Sequence, residues 1–478
     1  MKLTLIHPCI GRRIDQPYIR LWQMEPLPPA AIAGLTPRDV QIKFYDDRME
    51  RIPFDEPTDL VAISVETYTA RRAYQIASEY RKRGIPVVMG GFHATLCPEE
   101  VSQYADAVVV GEAETVWDQV LLDAQRGTLQ TYYRSAVRPA LANLRPDRSI
   151  YARKNYLPIG LVEAGRGCHF VCDFCAVQTI FNHTQTRRPA DDILGELEKM
   201  RDKPLIFFVD DNITSNMDQA KAFFRDLKRL KIRWVSQASI NAAHDEEFLQ
   251  LIKESGCQGI LIGFESLNPD NLKKMNKGFN TMQGGYEKAL ANLRKYDIRL
   301  YITFIFGYDE DRESSFQQTV DFALHHKFYI AAFNHLTPFP GTPLYKNLQA
   351  NGRLLYDDWW LDERYSYNMI PFQPAHMTPE RLQRGCVDAR AEFYKWSNIW
   401  KRSFDPVNRS NSAMWWHFYG INAMFRREVR QRDYYPLGDE SYRGGLLKVR
   451  ESGEPLPPAP IALPVAGSMV PEFVEDAK

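Results

Sequence analysis

Cys168, Cys172 and Cys175 fall within eight consecutive positions of the stretch GRGCHFVCDFCAV, with the spacing C-x3-C-x2-C. The chain has only seven cysteines in 478 residues, and the other four, Cys9, Cys97, Cys257 and Cys386, are scattered singly. Three chemistries use thiolates packed so closely. A structural zinc site takes four ligands, and His169 or His183 is near enough in sequence to be the fourth, but no second cysteine pair follows, as it does in most zinc knuckles. A redox pair uses Cys172 and Cys175 and leaves Cys168 idle. An iron–sulfur cubane is fully ligated by four thiolates. Three leave one iron without a protein ligand, and an open metal position marks a site that binds a reactant, by the logic of open catalytic zinc. The count of three therefore favours chemistry over electron storage.

Composition narrows the setting. Lys+Arg and Asp+Glu both total 60, and 44% of residues are hydrophobic. Such a chain can build two or three cored domains. Zero net charge argues against a nucleic-acid partner, whose phosphates demand a basic excess. No apolar run is long enough for a membrane span, so an integral membrane protein is not expected. The start, MKLTLIHPCIGRR, reads as a buried first strand rather than a secretory signal. The expectation is a cytoplasmic protein with reduced thiols.

The elements that position the cysteines follow from hydrophobic period. Residues 1–130 alternate apolar strands (KLTLI, VQIKFYDD, DLVAISVETY, IPVVMGGFH, DAVVVGEAE) with amphipathic helices, the pattern of a doubly wound, Rossmann-like parallel sheet. Ligands of such sheets bind beyond the carboxyl ends of the strands. Those ends carry Ser64, Thr67, Gly90, Gly91, His93, Gly111 and Glu112. Residues 131–157 read as a linker. From 158 to 345, six strands (GLVEAG, PLIFFVDD, IRWVSQASI, QGILIGFES, IRLYITFIFG, YIAAFNHLTP) alternate with helices, which suggests an incomplete parallel barrel with its site at the C-terminal rim. The cysteines directly follow the first of these strands. The α/β class is completed by an α-rich region over 346–450, expected to cover the substrate pocket. Its tryptophans, Trp359, Trp360, Trp396, Trp415 and Trp416, either line a planar substrate or pack on the barrel. WWHFYGINAMFRREVR also has the aromatic and basic content of a membrane-surface helix. The proline-rich 451–478 reads as a disordered tail.

CHFVCDFC, with Phe174 before the last cysteine, resembles the signature loop of the radical S-adenosylmethionine (SAM) superfamily, and a six-unit βα barrel is that superfamily's partial (β/α)6 fold. The resemblance implies a 4Fe–4S cluster whose open iron chelates SAM and cleaves it to a deoxyadenosyl radical. It also implies roles for strand ends: Asp210 or Asp211 toward the SAM ammonium, Glu265 toward the ribose, and Ile305 and Gly307 beside the adenine. The family's usual glycine-rich turn is replaced here by FFVDDN. An electron donor such as flavodoxin or ferredoxin and a small-molecule substrate are implied with it.

GGFHATLCPEE followed by GEAE is similar to the cobalamin-binding class of this superfamily, which includes methyltransferases acting on unactivated carbons and anaerobic porphyrin-ring cyclases. The resemblance implies bound cobalamin and, most directly, C-methyl transfer; cyclisation, hydroxylation or transfer of another SAM fragment are the alternatives. The D-x-H-x-x-G that supplies a lower histidine ligand to cobalt is missing: after the first strand the chain reads LIHPCIGRRID. The expectation is cobalamin held without a protein histidine.

Overall fold

The computed structural model describes residues 1–18, 23–135, 137–431, 433–453, 455 and 457; the rest of the expected tail lies outside the described residues. The N-terminal sheet has six parallel strands, Lys2–His7, Gln41–Asp46, Leu60–Ser64, Val87–Gly90, Ala107–Val110 and Tyr132–Arg134, in spatial order 2-1-3-4-5-6. The first five are those expected. The sixth lies in the stretch read as linker. It is three residues long and pairs Val108–Val110 with Tyr132–Arg134, too short to show a period in sequence.

Both faces of this sheet are covered, which is why its three central strands Leu60–Ser64, Val87–Gly90 and Ala107–Val110 are almost wholly apolar. Leu3, Leu5, Phe44, Val88 and Val109 pack with Trp117 and Leu121 on one face. Ile6, Val61, Ile63, Val87 and Val108 pack with Ala73, Ile76 and Tyr80 on the other. The chain leaves strand one toward one edge and strand three toward the other. The crevice of such an order opens where the direction reverses, between the ends of Lys2–His7 and Leu60–Ser64.

The second sheet takes Ile159–Val162, Leu205–Phe208, Trp234–Ala238, Cys257–Glu265, Leu300–Phe306 and Ile330–His335 in chain order, all parallel and open between first and last. All six expected strands are present. Amphipathic helices wrap it. Met217–Leu227 begins where the Asn216 side chain accepts the Gln219 N–H at 3.1 Å, and Glu246–Glu254 where Asp245 accepts that of Phe248 at 2.9 Å. Such caps satisfy donors that the first turn leaves open. Phe208, Phe224, Trp234, Phe264, Phe304 and Phe333 fill the space between.

The C-terminal region is a strap rather than a lid alone. Trp359, Trp360 and Tyr365 are buried in the core of the N-terminal domain. Helix Pro379–Phe393 packs on the sixth barrel strand. Residues Gly438–Asp439 then return to pair with Gly11–Arg12. The helical run breaks at 394–395: Pro379–Phe393 ends, and Trp396–Ser403 begins anew. At the break the Tyr394 hydroxyl donates to the Ala331 carbonyl at 2.9 Å and accepts the Ala331 N–H at 3.3 Å.

Candidate active site

The three cysteines occupy a loop closed at its base by a short antiparallel pair, Gly165–Gly167 against Gln185–Arg187. Gly167 sits at φ +90°, and a Cβ there would lie 2.1 Å from the Thr184 carbonyl oxygen, so only glycine fits. Within the loop, the Cys175 N–H donates to the Cys172 carbonyl at 3.2 Å, and the helix Ala176–Phe181 starts at once. Cys168 Sγ accepts from Asn212 Nδ2 at 3.5 Å. Burial pushes the Cys172 thiol up to about 12 and raises that of Cys175. Metal ligation removes these protons, so iron binding supplies what burial opposes. The remaining cysteines lie elsewhere: Cys9 and Cys97 in the N-terminal domain, Cys257 at the entry end of a barrel strand, and Cys386 inside Pro379–Phe393. The donor set is three thiolates, which fits a cubane with one open iron.

Asp210 and Asp211 shape the loop from beneath. Asp210 Oδ1 accepts the Ala164 N–H and Asp211 Oδ2 the Gly167 N–H, both at 2.7 Å. Gln237 in turn donates to the carbonyls of both aspartates at 2.7 and 2.9 Å. Asp210 is 1% exposed, its Oδ2 has no partner, and burial pushes its carboxyl up to about 7.

Glu265 ends the fourth barrel strand at φ +63°, where the register slips between Gly263 and Glu265. Such a bulge re-aims a side chain. Its carboxylate folds back onto Lys277, Nζ to Oε1 2.8 Å, and accepts from Thr303 at 3.4 Å. A Cβ on Gly263 would lie 2.0 Å from Glu265 Oε1, so any larger residue there would displace that carboxylate. Tyr286 and Asn280 donate to the Phe264 carbonyl at 2.7 and 3.1 Å. Burial works against the Lys277 charge, but Glu265 and the negative charge of the Cys172 and Cys175 thiolates outweigh it and raise its pKa. A buried ammonium thus stands between the cluster loop and the fourth strand. Sequence reading missed Lys277, because KKMNKGFN looks like a solvated helix end.

Phe174 packs against the barrel core, as does Ile305. Its neighbour Asp173 accepts from the Tyr308 hydroxyl at 2.6 Å, tying the cysteine loop to the fifth strand's end. Gly307 has φ +121°, and a Cβ there would meet Leu382 and Phe372 at 2.9 and 3.0 Å.

Across from this rim lie the strand ends of the N-terminal sheet. Gly91 has φ +99°, and its Cβ position is 2.8 Å from the Val65 carbonyl. Gly111, at φ +86°, faces open space. Ser64 is half-buried and Thr67 buried. Glu66 is accessible, and desolvation by the surrounding protein raises its carboxyl. His93 is wholly buried: its Nε2 lies 3.4 Å from Glu100, which also accepts from Tyr74 and Trp360 at 2.6 and 2.9 Å. Glu112 bridges the domains, pairing with Arg138 at 2.8 Å and Arg166 at 3.4 Å. His7, at the reversal point, has its pKa lowered to about 4 by burial and its Nδ1 unpartnered.

The two rims meet. Helix Phe92–Leu96, which follows Gly91, packs on Ala176–Phe181, which follows Cys175, and the Phe92 and Phe181 rings are 6.2 Å apart. Tyr68 OH lies 3.3 Å from Thr337 Oγ1, beyond the sixth barrel strand. Phe92 is 40% exposed there, apolar surface that a large cofactor would cover.

Comparison with known proteins agrees with this architecture. Residues 162–323 match the model of the radical SAM superfamily, and residues 32–121 that of the B12 binding domain. The chain is 34% identical to bacteriochlorophyllide d C-12(1)-methyltransferase of Chlorobaculum tepidum, over 85% of this chain and 89% of that protein. It is 28% identical to the C-8(2)-methyltransferase of the same organism, over 78% and 86%. The fold matches the radical S-adenosylmethionine methyltransferase TsrM of Kitasatospora setae, solved with cobalamin and a [4Fe-4S] cluster, at TM-score 0.62 and 15% identity, over 90% of this chain and 99% of that one. A three-thiolate loop facing a B12-type crevice, carried on these two matched domains, makes the chain a radical SAM enzyme of the cobalamin-binding class, using a 4Fe–4S cluster, SAM and cobalamin.

Proposed function

We propose that the enzyme methylates a carbon on the side chain of a chlorophyllide-type tetrapyrrole. The observation that carries this reading is the near full-length similarity to a bacteriochlorophyllide d methyltransferase, together with the facing of the cysteine loop and the B12-type crevice. Bound together, the cluster with SAM supplies a hydrogen-abstracting radical and cobalamin supplies the methyl group. The chain's own residues arrange them. Cys168, Cys172 and Cys175 hold iron. Asp210 and Asp211 fix the base of their loop, and Glu265, steadied by Lys277, offers its second oxygen to ribose hydroxyls. Ile305 and Gly307 bound the adenine side. Ser64, Gly90, Gly91 and Gly111 line the corrin face, with Thr67, His93 and Glu112 behind them as supports. A low-potential flavodoxin or ferredoxin delivers the electrons.

The test is an anaerobic incubation of reconstituted enzyme with methyl-deuterated SAM, cobalamin, reductant and bacteriochlorophyllide d. The reading expects a pigment heavier by one deuterated methyl, with S-adenosylhomocysteine and 5′-deoxyadenosine both formed. Deoxyadenosine with a ring-closed or hydroxylated pigment, and no label transfer, would overturn it.

A further inference from the structure

Two C-terminal helices, Trp396–Ser403 and Ser412–Gln431, turn large apolar side chains to solvent. Trp416 is 69% exposed, Trp400 59%, Trp396 54% and Phe404 45%. Trp396, Trp400 and Phe404 recur every four residues, so they share one stripe, with the Trp400 and Phe404 rings 4.8 Å apart. The opposite side of the same helices does the packing. Ile399 and Phe418 form a small core with Tyr329. Trp415 donates to the Ser403 carbonyl at 3.1 Å and Tyr419 to the Ser403 hydroxyl at 2.7 Å, which holds the two helices side by side. The aromatics are therefore extra to the fold.

Charge gathers with them. In a chain of zero net charge, residues 395–431 carry seven basic side chains and two acidic ones. Lys395, Lys401, Arg409, Arg426 and Arg427 are exposed, and the Arg426 guanidinium lies 5.7 Å over the Trp396 ring. Of the two acids, Asp405 is 1% exposed and paired with Arg294.

The face lies away from the chemistry. Arg402 donates to the Phe328 carbonyl at 2.8 Å, and the Tyr329 hydroxyl to the Met414 carbonyl at 2.6 Å. Residues 328 and 329 precede the strand Ile330–His335, so the helices sit by the entry end of the barrel strands. The cysteine loop sits at the exit end. Neither the substrate nor an electron donor for the cluster would approach from this side.

Tryptophan beside lysine and arginine is the composition of a membrane interface: the indole rests among lipid headgroups and the cations pair with anionic lipids. We propose that the face made by Trp396, Trp400, Phe404 and Trp416 seats the enzyme on an anionic lipid bilayer surface, leaving the cofactor cleft turned away from the bilayer.

Flotation tests this. Holoenzyme is mixed with phosphatidylcholine vesicles made with or without phosphatidylglycerol. It should rise with the anionic vesicles and stay behind with the neutral ones. The Trp400→Ser/Trp416→Ser pair and the Lys401→Glu/Arg427→Glu pair should each weaken binding at least about tenfold, with iron and cobalamin content unchanged as proof of folding. No flotation, or flotation that both variants retain, overturns the proposal. So does a dimer of the parent that the tryptophan variant dissolves, since the face would then belong to a second copy of the chain.

Discussion

Lys277 and Glu265 form a charged pair beside the cluster loop, 2.8 Å apart and almost wholly buried. Removing one member leaves the other charge stranded, at a cost of about 3–5 kcal/mol, whereas removing both costs far less. Lys277→Met should therefore lower the stability of the metal-free protein by that amount in urea titration, and Lys277→Met/Glu265→Gln should recover most of it. Asp210 behaves in the opposite sense to a paired carboxylate. Its folded pKa, about 7, lies above the unfolded value near 4, so the folded state binds the proton more tightly. Its contribution is full below about pH 4 and is lost as pH climbs to about 7. The stability of the metal-free parent relative to Asp210→Asn should fall across that window by an amount on the order of a few kcal/mol. Iron analysis is the third check at this scale. Cys168→Ala, Cys172→Ala and Cys175→Ala should each abolish the cluster, while Cys9→Ala, Cys97→Ala, Cys257→Ala and Cys386→Ala should keep it. The cysteines were legible because spacing and count restrict their chemistry. Lys277 was not, because its burial is created by a bulge 12 residues earlier, and nothing in FFVDDN says that the Asp210 carboxylate accepts the Ala164 N–H.

Strands and turns explain what holds these residues. Eleven of the twelve strands in the two large sheets follow from their apolar runs, although Gln41–Asp46 is exposed at Gln41 and Lys43 and the barrel strands alternate buried with half-buried residues. Tyr132–Arg134 escaped because a three-residue edge strand has no period to detect. Glycines at strand ends were legible as close-approach points, and two are demanding. Gly91→Ala must force a Cβ to within 2.8 Å of the Val65 carbonyl at a positive φ, costing upward of about 1 kcal/mol. It should lower the melting temperature and weaken cobalamin retention measured by gel filtration. Gly111→Ala shares the positive φ but has open space around its Cβ, so it should be milder in stability, and the two variants separate backbone strain from the added clash with Val65.

At the scale of the whole molecule, the two domains work only if their rims stay opposed, and the C-terminal strap keeps them so. Trp359 is fully buried in the N-terminal core, and its indole donates to the Pro338 carbonyl, beyond the sixth barrel strand, at 2.9 Å. That docking was not legible, since nothing in YDDWWLDERY says which domain the tryptophans enter. The central claim is that one chain holds a cluster and a histidine-free cobalamin across one cleft. Electron paramagnetic resonance of the doubly loaded, reduced enzyme tests it most directly. The account predicts one cob(II)alamin per chain, base-off, without nitrogen splitting and unchanged in His7→Ala, with its lines broadened by the neighbouring reduced cluster and sharpened in Cys172→Ala. A nitrogen-split signal lost in His7→Ala, or a cobalt spectrum indifferent to the cluster, would contradict it.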